Sequence, residues 1–123
     1  MKMPGDKIYV GRRRGCGDVE VYVGDGHGKI EPLLPGPSQE LYNHSPGGFE
    51  WGYSGSGPSQ LALALLLDAT GDKELALTYY QEFKQHFVAD WRKDYWAIEA
   101  SAIRTWLNIR EVVRSYEEKL GTI

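Results

Sequence analysis

An α+β fold follows from the sequence: a small N-terminal antiparallel β-sheet packed with one buried helix and two long C-terminal helices. Three observations predict it. The first 42 residues read as short strands between turns, with period-two alternation of apolar and polar residues at 18–23, the pattern of a half-buried strand. Helical periodicity takes over after residue 56. The two patterns do not interleave along the chain, so the helices segregate from the sheet instead of forming βαβ units. With 123 residues, one domain over 1–123 is expected, with a β-rich half at 1–42 and an aromatic glycine loop plus helices at 43–123.

Taken in order, residues 7–10 form a short β-branched and aromatic strand, and 12–17 (R-R-R-G-C-G) a basic turn. Residues 18–23 (D-V-E-V-Y-V) form a second strand with Val19, Val21 and Val23 on one face. Turn chemistry at 24–28 leads to a third strand at 29–34. Pro32, Pro35 and Pro37 end regular structure, and 38–42 is connector or a short helical turn. Ser56-Gly57-Pro58 opens the first helix, with a cap candidate followed by proline in the first turn. This helix runs to about residue 69 and stops at Thr70-Gly71-Asp72. Its all-round apolar stretch, 61–67, predicts full burial. The second helix spans about 72–88 with the stripe Ala76, Tyr80, Phe83, Phe87. A loop at 89–95 leads to the third helix, about 99–120, striped by Ile98, Ala102, Trp106, Ile109, Val113, Tyr116 and Leu120.

Charge and composition exclude several function classes. A net charge of −3 and a pI near 5.6 give no field to attract bulk nucleic acid or an anionic membrane. The longest apolar run is about a third of a membrane span, and the first residues lack a signal-peptide core, so a cytosolic protein is expected. Cys16 stands alone, which rules out an intrachain disulfide and a thiolate metal cage; it reads as an incidental turn residue. His27, His44 and His86 have no metal-ligand spacing, and neither a metal nor a cofactor is expected. The G-Y-S-G-S-G run approximates a nucleophile elbow but follows no parallel strand, and no lysine follows the glycines as a phosphate loop requires. No catalytic residues are assigned, and His44 reads as a hydrogen-bonding loop residue.

Arg110 and Arg114, four apart, share one helix face. Arg114 can pair with Glu117 or Glu118, whereas Arg110 has no acid three or four residues away and calls for an anion or a partner acid. Arginine forks suit phosphates; the bland alternative is a solvated face or an intersubunit salt bridge. Phe83 is core by its stripe position. If the last two helices run antiparallel, Phe83 and Arg110 converge, and an aromatic face with arginines is what a nucleotide needs.

The run N-H-S-P-G-G-F-E-W-G-Y-S-G-S-G-P-S-Q-L-A-L-A-L-L, followed by T-G-D and Y-Q-E-F-K, resembles a domain family of phages and mobile elements with the pattern H-S-P-x-G-F-E-W-G-Y-x-G-S-G-P-x-Q-L-A-L. The likeness covers residues 43–84, and size and element order are similar to the first type of phage anti-defence sponge against the Thoeris system. That resemblance implies sequestration, without cleavage, of a cyclic ADP-ribose isomer, with cyclic oligonucleotides as further ligands. It implies a homo-oligomer, a dimer or trimer of dimers, in the cytoplasm of the infected bacterial host. It also implies ligand contacts by Phe83, Arg110 and Arg114. Two other readings stand beside it. One is a structural or protein-interaction module without a small-molecule ligand; the other is a nucleotide-cleaving enzyme using His44 or Glu50 as base.

Overall fold

A computed structural model describes residues 6–15 and 17–121; Cys16 lies outside the described residues. The strands are β1 (Ile8–Arg14), β2 (Asp18–Gly24), β3 (Ile30–Pro32) and β4 (Tyr95–Glu99). The helices are α1 (Gly36–Leu41), α2 (Ser56–Thr70), α3 (Lys73–His86) and α4 (Ala100–Lys119), with a 3-10 turn at Val88–Asp90. The sheet is antiparallel in the order β3-β2-β1-β4, and the architecture is α+β as the sequence predicts.

Two differences matter for function. Residues Arg12–Arg14 are not a turn; they continue β1, paired in register with Asp18–Glu20. Their charges are balanced by neighbours that the local sequence does not reveal. Arg12 and Arg14 meet Glu20 on the next strand, and Arg13 meets Glu50 and Asp94. The second difference is β4, which the sequence merges into the loop at 89–95 and the start of the last helix. Ile98 fits the helical stripe by spacing, yet it pairs with Tyr9 as strand, beside the Trp96–Gly11 pair. Five residues that run straight into a helix offer too little period-two signal to stand out.

One sheet face carries Tyr9, Gly11, Val21 and Trp96, all buried. It packs on α2, where every residue from Gly57 to Leu66 is buried, as the uninterrupted apolar run predicts. Gly71 ends α2 in the left-handed conformation, with φ 67°, a backbone position that glycine adopts without steric cost. The Asp72 carboxylate then caps α3 by accepting from the Leu75 amide at 3.0 Å, worth about 1 kcal/mol.

Helix α4 covers only the start of the stripe its sequence advertises, where Trp106 packs on the core. Ala100, Ile103 and Leu107 face the body. Ile109, Val113, Tyr116 and Leu120, together with Val112, are exposed by 37% or more. The helix therefore has two apolar stripes, and beyond Trp106 the second is left uncovered by the described residues.

Candidate functional site

The glycine-aromatic loop is a clamp between sheet and helices. Trp51, 1% exposed, donates its indole N–H to Lys93 O at 2.9 Å and sets its ring edge-on to Trp96, centroids 5.7 Å apart. The Arg13 guanidinium lies 4.5 Å above the Trp51 ring while holding Glu50 at 2.6 Å and Asp94 at 2.9 Å. A methyl group on Gly57 would stand 2.7 Å from Glu50 Cβ, so glycine lets the loop lie directly on the start of α2. Glu50 is thus tied to a structural partner.

His44 is tied as well. Its ring stacks on Tyr42 at 4.1 Å, and Nε2 meets the Tyr80 hydroxyl at 2.5 Å. Loss of hydration, followed by the positive charge of Lys84, holds the His44 imidazole below its ordinary pKa. The neutral ring suits a hydrogen-bonding role in the loop.

Gln60 anchors this segment from inside α2. Its side chain is fully buried. It accepts from the amides of His44 (2.8 Å) and Ser45 (3.0 Å), and donates to Ser38 Oγ and to Tyr42 O. Gln60→Leu strands two amide donors and a carbonyl. With about 1–3 kcal/mol for each buried group left unmade, and partial relief by loop movement, a net loss of about 2–3 kcal/mol is expected. A urea melt measures it, and a midpoint unchanged from the parent would show that the loop re-forms its bonds elsewhere.

The arginine pair sits along the α3–α4 contact. Trp106 touches Phe83, Phe87 and His86, whereas Arg110 reaches Glu82. Rising contacts on α4 fall on α3, so the two helices run antiparallel, as convergence of Phe83 and Arg110 requires. Arg110 does have a partner acid, on the neighbouring helix: Nη2 donates to Glu82 Oε1 at 3.3 Å, and Nε is 2.9 Å from Oε2. The Nε–H is not well aligned on that oxygen, so at Nε the contact is chiefly Coulombic. Arg114, exposed, sits beside the Tyr79 phenol, which together with Glu118 and Glu111 holds its guanidinium above the ordinary range. The Tyr79 hydroxyl is itself buried and makes no well-aligned hydrogen bond among the described residues.

Phe83 departs from the ligand role that the resemblance implies. Its ring is completely enclosed, 4.8 Å from Phe87 and 5.4 Å from Trp106 by centroid, and offers no open face to a base. Its stripe position is the better guide here. Glu82 and Tyr79, which frame the arginines, carry no spacing signal toward α4 and emerge only once the helices are packed. Among the described residues no group of three or more His, Cys, Asp or Glu could hold a metal ion, and no helix is long and apolar enough to cross a membrane.

No curated protein and no solved structure gives a significant match to this chain. The sequence pattern of DUF6166, a family of unknown function, matches residues 9–109. That span runs from β1 through the first half of α4 and takes in the loop clamp, Gln60 and Phe83; the chain belongs to the DUF6166 family.

Proposed function

We propose that the protein is a non-catalytic binder that sequesters a cyclic nucleotide immune signal, a cyclic ADP-ribose isomer or a cyclic oligonucleotide, and so inhibits bacterial anti-phage defence. The phosphates are held at the α3–α4 edge by Arg110 and Arg114. One observation carries the reading. The Tyr79 hydroxyl is buried without an aligned hydrogen bond and lies beside the exposed guanidinium of Arg114, one turn along α4 from Arg110, which Glu82 holds. A buried hydroxyl is rarely left unpaired, and a phosphate oxygen supplies what it lacks. The resemblance over 43–84 gives the ligand its class. Phe83 enters this reading only as the buried support of Trp106.

The uncovered stripe Ile109, Val113, Tyr116 and Leu120 borders the arginines and supports a homo-oligomer, because apolar patches of this kind mark interfaces. A second reading draws on the same stripe and on the Glu82–Arg110 pair: an interaction module of a phage or mobile element, without a small-molecule ligand. Mixing the protein with a cyclic ADP-ribose isomer, removing free ligand and denaturing by heat separates the readings. A sponge releases intact ligand. Release of cleaved product would identify an enzyme, and release of nothing would leave the interaction module.

A further inference from the structure

We propose that the protein has a second binding site, an extended-peptide groove along the open edge of β2, on the side of the sheet remote from β4 and independent of the arginine pair. Strand β3 pairs only with Tyr22, Val23 and Gly24, and Leu33 N donates to Val21 O at 2.9 Å just beyond it. In this ladder the odd-numbered residues of β2 turn their amides and carbonyls toward β3, since backbone groups alternate along a strand. Val19 is the next such residue. It has no strand opposite it, and no hydrogen bond reaches it from that side among the described residues.

This edge forms one wall of a cleft of about 630 Å³, within the usual range for ligand sites. The other wall is the glycine-aromatic loop, with Phe49 and Tyr53, and the start of α2. Exposed strand edges invite pairing with another chain. Here the loop stands across the cleft, so a whole sheet is kept away while a single strand has room. Val19 and Phe49, both only partly buried, give apolar contacts for side chains of such a strand.

The lining favours one charge on the occupant. Asp18, Glu20 and Glu50 line the cleft, and among the described residues no lysine or arginine does. Glu20 and Glu50 are balanced by arginines, whereas Asp18 has no ion-pair partner among the described residues. The groove therefore suits a basic, extended peptide added as a strand. Gly47 lines the same cleft, does not have positive φ, and would have nothing within 4 Å of an added Cβ. The fold does not need glycine there, so a large side chain at 47 can be added at the cleft wall and leaves the protein folded.

The test is an amide-resolved NMR titration with a capped pentapeptide of alternating lysine and valine, run to millimolar concentration. Saturable shifts at the Val19 and Val21 amides are expected. A glutamate–valine peptide, and the lysine–valine peptide N-methylated at alternate residues, should each bind about tenfold more weakly or worse, the equivalent of one good interaction. Gly47→Trp should melt like the parent and lose the shifts. No shift at Val19 would overturn the proposal. So would binding that is indifferent to N-methylation, which would mark a pocket for side chains or small molecules instead of a strand.

Discussion

Phe83→Ala is expected to lower folding stability by about 3–5 kcal/mol, the usual cost of removing a large buried aromatic ring and leaving a cavity. The ring is fully enclosed and touches both Phe87 and Trp106. Trp106 in turn makes edge contacts with Tyr79 and His86. The void would therefore open at the seam where α4 leans on α3, and the seam can close only by moving a helix that also carries the sheet's last strand. A denaturant melt reads the loss directly. A variant as stable as the parent, with ligand binding weakened, would return Phe83 to the stacking role and remove it from the core.

Replacing both Arg110 and Arg114 by alanine should lower affinity for the cyclic nucleotide several hundredfold or more. Each charge-assisted bond to a phosphate is worth roughly 1.5–3 kcal/mol, and every 1.4 kcal/mol is about tenfold. The stability cost should be small, under about 1 kcal/mol, because the Glu82 partner is 43% exposed and pairs of that kind contribute little. Calorimetry on the folded double variant decides the matter. Affinity within twofold of the parent would detach the arginines from the site.

The parts of the fold legible in the sequence are those with long, unmixed signals. Helix α2 declares itself by an apolar run and a Ser-Gly-Pro start, α3 by its stripe, and β2 by strict alternation. What stayed hidden depends on partners far away in sequence. The arginines of β1 look like a turn because Arg12 and Arg14 find Glu20 only across the hairpin, and the acids that balance Arg13, Glu50 and Asp94, lie 37 and 81 residues away. β4 hides because Ile98 satisfies two periodicities at once. In α4 the apolar stripe is real, but the face that meets the body is the weaker one, Ala100, Ile103 and Leu107. A single helix cannot reveal which of two stripes its own chain will cover. At the candidate site the arginine spacing was readable, whereas Glu82 and Tyr79 required the helix packing.

The pairing of β1 with β4 also governs how the protein is made. Ile8 cannot meet Glu99 until the segment that follows the first hairpin has left the ribosome, roughly 4–15 s later at ordinary synthesis rates. During that interval the β1 edge, with Tyr9 and Gly11, is a bare template. The nascent hairpin is then at its most vulnerable to pairing with another copy or to capture by a chaperone, and completion of β4 is the event that ends the exposure.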